Sequence, residues 1–284
     1  MHERFTGGEI VPWQDLEFEL VSEGASRNRA LLDQLKNEVL HIAAVARGWH
    51  EPADFAFFER AFKIGPLYEV EALALVRRGG KLVGLAGSVN DWRLAEGSAI
   101  VHLCSLGLLP EVQARGILPV LMALLWRASL QRPAIAEAYR QGRVYATAIS
   151  QSPYIVWFLS QLAEVFPAPD RPAPSPEELA VARAVVARFD PHLELDEAGF
   201  VLREECEFRY RYPPLSPDRR INRFCRERLR EEEGDVFVLV GRVKPERLEA
   251  FLARVERAYG ELFESLAWVV EERPENLGLE REAS

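Results

Sequence analysis

Residues 107–118 read GLLPEVQARGIL and join two strongly apolar segments, whose ends they include. The first segment, SAIVHLCSLGLL at 98–109, predicts a strand, and the second, ILPVLMALLWRASLQ at 117–131, predicts a helix. A turn from strand to helix points unpaired N–H groups at one spot, where the helix dipole adds positive potential. Gly116 leaves room there for a ligand and Arg115 adds charge. The turn is either a phosphate or pyrophosphate site or an ordinary helix start.

The segments around this turn predict a mixed sheet. Alternating or apolar runs predict strands, which are 16–21, the two strands of a hairpin around RRGG within 71–90, 98–109 and 143–150. Apolar residues at helical spacing predict helices, which are 26–49, 53–63, 117–131 and 153–165. Strands that alternate with helices in this way indicate an α/β chain.

The second half of the chain continues with both kinds of element. The Pro-rich segment PAPDRPAPSPEE, at 167–178, is either a domain linker or a surface loop. Ser175 and Pro176 predict the start of a helix over 176–189. The remaining predicted elements are an alternating strand at 200–212, a polar helix at 218–231, a strand at 235–243 and a helix at 245–264.

The composition of the 284 residues excludes several classes of protein. Hydrophobic residues make up 48% of the chain, which is enough for a large core, and charged residues make up 28%. A net charge of −9 argues against nucleic acid as a partner. Three cysteines with neither CxxC nor zinc spacing favour a reducing cytoplasm and no metal site. The N-terminus lacks the pattern of a signal peptide, and the longest apolar run, 117–126, is too short to cross a membrane.

The turn and the order of elements resemble the GNAT superfamily of acyl-CoA-dependent N-acyltransferases, in an atypical branch. That family carries Gln/Arg-x-x-Gly-x-Gly/Ala after a hydrophobic strand, and Gln113 and Gly116 match its first two fixed positions. Pro110 matches a frequent upstream proline, whereas Leu118 stands where Gly or Ala is usual. The resemblance implies an α/β (α+β) fold with a mixed, mostly antiparallel central sheet flanked by helices, with helical insertions and a C-terminal helix.

The resemblance also implies how the chain is divided. Residues 1–166 would form the acyl-CoA-binding core, and residues 167–199 would be a Pro-rich segment with an inserted helix. Residues 200–284 would supply the last strands of the sheet and a C-terminal helix, in one domain with the core or in a separate one. The helix at 245–264 would either cover the sheet or pair two chains in a homodimer.

The same resemblance implies the residues that hold acetyl-CoA or another acyl-CoA. Backbone N–H groups of the turn would bind the pyrophosphate, and these belong to Gln113, Ala114, Arg115, Gly116, Ile117 and Leu118. Backbone groups of Leu106 and Leu108 would pair with the pantetheine arm, and the Leu106 N–H would polarise the thioester carbonyl. A branched side chain at Leu118 fits only if it turns into the core.

The chemistry of such a transfer needs groups that move protons. An amine with a pKa of ~8 to ~10 must lose a proton before it attacks, and His102, with an ordinary pKa of ~6.5, is a candidate base or else a structural residue. In the family a tyrosine often protonates the thiolate, but Leu159 occupies that position here. Tyr154 is a candidate on the same helix, at another face. Glu204 interrupts an apolar strand face, where it acts on the amine with a raised pKa, marks a wet strand end or pairs with an arginine.

The sequence therefore predicts transfer of an acyl group from acyl-CoA to a primary amine by direct attack in a ternary complex. The acceptor would be a small molecule, a peptide or a protein, and the protein would be cytoplasmic, without nucleic acid, membrane or metal. One alternative is a catalytically inactive protein of this fold that binds CoA or another ligand as a sensor or interaction module. A further alternative is a different α/β protein that binds a nucleotide phosphate at the same turn.

Overall fold

The computed structural model describes residues 9–22, 25, 29–49, 51, 65–94, 97–113, 115–204, 210, 214–260 and 262–263. Its first half consists of β1 (Glu9–Trp13), β2 (Leu16–Val21), α1 (Arg29–Ala46), β3 (Ala72–Arg78), β4 (Lys81–Arg93), β5 (Ala99–Leu108), α2 (Pro110–Gln113), α3 (Ile117–Leu130), α4 (Pro133–Arg140), β6 (Val144–Ser150) and α5 (Pro153–Ser160). The helix that the sequence predicts at 53–63 lies outside the described residues.

The second half adds strands to the same sheet. Its elements are β7 (Ala163–Phe166), α6 (Pro176–Phe189), β8 (Leu195–Asp196), β9 (Val201–Leu202), α7 (Arg219–Arg228), β10 (Val236–Val243) and α8 (Pro245–Ala258). Short 3-10 turns occur at Gly65–Glu69 and Glu231–Glu233. The predicted helix start at Ser175 is confirmed, because Ser175 and Glu178 form a reciprocal capping box.

The strands of the described residues form one sheet in the order β1-β2-β3-β4-β5-β6-β10-β9-β8, and β7 pairs with the same edge of β10 as β9. Within this sheet only β5 and β6 run parallel, from Ala99 opposite Val144 to Leu103 opposite Ala148. The expected mixed, mostly antiparallel sheet flanked by helices is therefore confirmed. Strand β10 comes after residue 200 in the chain. It pairs with β6, and so it joins the sheet that the strands of the first 166 residues form.

The two faces of the sheet are covered by different helices. Leu103 and Ala148 belong to a large apolar cluster that includes the buried side of α3. Ile100 and Tyr145 belong to a second cluster, which packs against α6. Successive residues of a strand point to opposite faces, so β5 and β6 contribute side chains to both layers. Among the helices of the described residues, none is both long enough and apolar enough to cross a bilayer.

Two predicted elements are wrong in extent. The helix predicted at 153–165 ends at Ser160, and Ala163–Phe166 forms β7, because these residues pair with β10 instead of continuing the helix. The strand predicted at 200–212 is limited, among the described residues, to Val201–Leu202. The chain turns at Glu204, whose φ is +55° and whose N–H donates to the buried carboxylate of Asp235. Strand β1 and helix α4 were not predicted.

Candidate functional site

Strand β5 carries a bulge in its second half. Leu85 of β4 lies opposite Gly107 and Gly87 lies opposite Cys104, so one residue of β4 faces two residues of β5. One of those two, Ser105, has a φ of +52°, which non-glycine residues seldom adopt. An extra residue of this kind bends the strand and ends regular pairing, and such bulges often lie next to active sites.

The bulge coincides with the point where β5 and β6 separate. Their parallel ladder ends at Leu103 and Ala148, whereas β5 continues to Leu108 and β6 to Ser150. Each strand remains paired on its other edge, β5 with β4 and β6 with β10. The two strands are therefore held apart, and the edge of β5 after Leu103 faces an open cleft.

A cavity of about 1000 Å³ fills this cleft and reaches both faces of the sheet. Leu103 and Leu118 line it on the face covered by α3, and His102 and Phe189 line it on the face covered by α6. His102 and Leu103 are consecutive in β5, so their side chains point to opposite faces. The cavity therefore passes through the sheet between β5 and β6.

The two ends of the cavity differ in charge. The wall formed by α3 and α5 contains no charged side chain among the described lining residues. The charged residues among the described lining residues lie at the other end. Arg47 follows α1, Asp190 follows α6, Glu204 lies just after β9, and Glu69 pairs with Arg188 of α6. An uncharged ligand segment is thus favoured at one end, and a polar or charged one at the other.

His102 lies in the wall with only 3% of its surface exposed. Its Nδ1 is 2.9 Å from Thr147 Oγ1, and its ring stacks on Phe189 with the centroids 4.3 Å apart. Burial lowers the pKa of His102 to about 3, and the positive charge of Arg188 acts in the same direction. The imidazole is therefore neutral at pH 7 and a far weaker base than the sequence suggested.

Tyr154 and Glu204 line the same cavity. Tyr154 is partly buried on α5, and burial raises its pKa, so its hydroxyl keeps its proton at neutral pH. Leu159, at the position of the usual tyrosine, is fully buried in the core. Glu204 is exposed, because the chain bends there, and so it lies at a wet strand end and is not half-buried on a strand face.

The turn at 113–118 contributes only part of its predicted set to the cavity. Gln113 and Leu118 line it, together with Leu106 and Leu108. Ala114 lies outside the described residues, and the other turn residues that are described, Arg115, Gly116 and Ile117, are not among the lining residues. The Gln113 side-chain amide donates to the Leu108 carbonyl at 2.9 Å and so ties the turn to the end of β5.

The turn itself is well fixed by its neighbours. Gly116 has a φ of +71° at the start of α3, and no side chain caps this helix. The Arg115 guanidinium donates to the Asp15 carboxylate at 2.6 Å. The Tyr259 hydroxyl donates to the Gly116 carbonyl at 3.2 Å. Leu118 is 9% exposed and packs in the core, so its branched side chain does turn inward.

Sequence reasoning did not find the residues that form the far side of the cavity. Phe189 stacks on His102 from α6, and Ile42 of α1 lies against Gly107 of β5. Both read as ordinary core residues of amphipathic helices, and no local pattern marks them as wall residues. Among the residues described, no group of three His, Cys, Asp or Glu side chains could hold a metal ion.

No model of a protein family matches the chain, and no curated protein does. Solved structures do match. They include a candidate acetyltransferase from Pyrococcus horikoshii, at 13% identity over 58% of this chain, with a TM-score of 0.33. N-acetylglutamate synthase from Neisseria gonorrhoeae, complexed with coenzyme A and L-arginine, matches at 18% identity over 56% of this chain and 30% of that chain, with a TM-score of 0.30. A candidate GNAT-family acetyltransferase from Desulfovibrio desulfuricans matches at 13% identity over 47% of this chain and 73% of that chain, with a TM-score of 0.28.

The matched part of the Pyrococcus protein is 48% of its length, about half of that chain. At 13–18% identity the likeness to these structures concerns the fold alone. At such scores they carry no argument for a particular reaction, which has to come from the site.

Proposed function

We propose that this protein is an acyl-CoA-dependent N-acyltransferase that moves an acetyl or other acyl group to a primary amine. The observation that carries the proposal is the cavity that passes through the sheet where β5 and β6 separate. A donor that enters from one face and an acceptor that enters from the other can meet inside such a passage. Direct transfer requires that the two substrates are held next to each other, and such a passage allows it.

The donor fits the end walled by α3 and α5. From Cys104 to Leu108, the edge of β5 that faces β6 has no strand partner among the described residues, so an extended pantetheine arm can add to that edge as a strand would. In this arrangement the N–H of Leu106, beside the bulge, donates to the thioester carbonyl oxygen. The N-terminus of α3 supplies positive potential for the pyrophosphate.

The acceptor fits the end that carries charged residues. Glu204 is exposed there and can pair with an incoming ammonium group. The ammonium first loses one proton to solvent; the amine nitrogen then attacks the thioester carbon, the C–S bond breaks, the nitrogen gives up a second proton and the sulfur takes up one. His102, neutral in the resting structure, accepts a hydrogen bond or a proton from the amine, and Tyr154 offers a proton to the sulfur.

A second candidate function is a protein of this fold that binds acyl-CoA or CoA without transferring the acyl group. The observation that favours it is the pKa of His102, which burial lowers to about 3. A base that weak removes few protons at neutral pH, so a site with no other base would bind and not react.

Ligand binding and turnover separate these two functions. The melting temperature is measured with and without 1 mM acetyl-CoA or CoA, since a ligand that binds only the folded state raises it. Release of free thiol is then followed with a panel of small amines, polyamines and peptides. Transfer to any amine supports the acyltransferase, a shift without transfer supports the binding protein, and no shift with either ligand contradicts both.

The remaining parts of the proposal concern partners and place. The acceptor is a small-molecule, peptide or protein amine. On the negative charge and sparse cysteines of the chain, we place the protein in the cytoplasm, without nucleic acid or membrane as a partner. A homodimer through the C-terminal helix is tested by light scattering of the purified protein.

A further inference from the structure

Helix α7 is strongly basic in a chain that is acidic overall. Its sequence, RRINRFCRER at 219–228, contains five arginines and one glutamate, whereas the whole chain has a net charge of −9. The residues that it buries are Ile221, Asn222 and Cys225. All five arginines are exposed.

Three of these arginines are available to a ligand. Arg220 pairs with Asp218, and Arg223 lies 3.9 Å from Glu227. By contrast, Arg219, Arg226 and Arg228 form no ion pair within 4 Å with any residue that the structure describes; Arg226 donates to the Asn222 carbonyl of its own helix, and Arg228 lies over the ring of Phe224. Exposed guanidinium groups without a carboxylate partner are the groups that bind phosphate oxygens, often with two parallel hydrogen bonds.

The helix lies beside the uncharged end of the cavity. Phe224 of α7 stacks on Phe237 of β10, with the ring centroids 5.6 Å apart, and Phe237 lies opposite Ser150, which lines the cavity. The chain that leads into α7 is also attached there, because the Pro214 carbonyl accepts from the N–H of Tyr154. Phe237 alternates along β10 with Val236 and Val238, which belong to the cluster packed against α6, so Phe237 and α7 lie on the opposite face, the donor face of the sheet.

Close to the cavity, the described part of the donor face offers little other positive charge. The cavity wall at that end has no charged side chain among the residues described. The guanidinium of Arg115, at the predicted pyrophosphate turn, is already held by Asp15. Pro119, in the first turn of α3, has no N–H to donate. The phosphates of a bound acyl-CoA therefore need further cations on this face.

We propose that the unpaired arginines of α7 bind the phosphates at the nucleotide end of acyl-CoA, and its 3′-phosphate in particular. This inference rests on the proposed function, because it assigns the part of the same ligand that extends outside the cavity. The charge of the helix is complementary to that polyanionic end, and the helix lies beside α5, which walls the donor end of the cavity.

The test compares two ligands that differ by a single phosphate. Calorimetry gives the dissociation constants of CoA and of 3′-dephospho-CoA for the full-length protein, for the double variant R219Q/R226Q and for R228Q. The control is R140Q, which removes one positive charge, as R228Q does, from the last residue of α4, next to the opposite end of β6. We expect the wild-type protein to bind CoA about tenfold more tightly than dephospho-CoA, and the double variant to lose most of that difference.

The outcomes are distinct. The inference is supported if R219Q/R226Q or R228Q weakens CoA binding and leaves dephospho-CoA within about twofold, while R140Q changes neither. It is overturned if the wild-type protein binds both ligands equally, or if the variants weaken both to the same extent. If the wild-type protein binds neither ligand, the proposed function itself fails. Circular dichroism confirms that each variant is folded.

Discussion

Replacing Gly116 by alanine tests the turn between β5 and α3. The residue has a φ of +71°, and an added Cβ would overlap the hydroxyl group of Tyr259. The left-handed backbone costs alanine about 1–2 kcal/mol. Displacing the hydroxyl, which donates to the carbonyls of Arg115 and Gly116, costs about 1 kcal/mol more. We therefore expect G116A to lower the free energy of unfolding by about 2–3 kcal/mol.

Two further variants separate these contributions. Gly142 also has a positive φ, +64°, but no atom lies within 4 Å of the position of its added Cβ, so G142A measures the backbone cost alone. In a Y259F background the overlapping oxygen is absent, so G116A is expected to cost about 1 kcal/mol less than in the wild-type protein.

Urea unfolding followed by fluorescence gives the free energy of each variant, and acetyl-CoA is titrated against each folded protein. The reasoning is refuted if G116A costs no more than G142A, or if Y259F leaves the cost of G116A unchanged. Either result would mean that Tyr259 does not occupy the space beside the turn.

Three further predictions concern the site and its support. His102 takes up a proton at about pH 3 in the folded protein and at ~6.5 when unfolded, so the free energy of unfolding falls as the pH drops below ~6.5. Between pH 7.5 and 5, H102Q should lose about 2 kcal/mol less of this free energy than the wild-type protein does in urea titrations. Equal losses would contradict the buried neutral imidazole. The Asp235 carboxylate is fully buried and accepts from the half-exposed Arg203 and Arg230, so D235N should cost about 3 kcal/mol in the same assay. D196N, at an exposed carboxylate, should cost less than about 1 kcal/mol, and similar costs would count against the role of the buried carboxylate. Ala148 lines the cavity where β5 and β6 separate, so the larger side chain of A148L should fill that space and abolish the shift of the melting temperature that acetyl-CoA causes. The same substitution at Ala136 on α4 should leave the shift intact. An unchanged shift in A148L would mean that the ligand binds elsewhere.

Local sequence patterns predicted most of the elements. Helix α6 begins where its capping box predicts, and β5, α3 and β6 lie within a residue or two of their expected bounds. These elements depend on side-chain periodicity and on residues three or four positions apart, which the sequence displays directly. The prediction at 200–212 was wrong because a buried carboxylate about 30 residues away, that of Asp235, bonds the backbone where the chain bends. An alternating sequence pattern gives no sign of a contact between residues so far apart in the chain.

The sequence by itself determined the strand, the turn and the helix at 99–130, and it placed Gln113 and Gly116 at the turn, because those features are local. Only the tertiary structure decided what the turn adjoins. The cleft exists because β10, almost a hundred residues after β6, pairs with β6 and holds it away from the bulged half of β5. The same packing brings Thr147 and Phe189 against His102, and that burial, which no local pattern encodes, lowers the pKa of the imidazole to about 3.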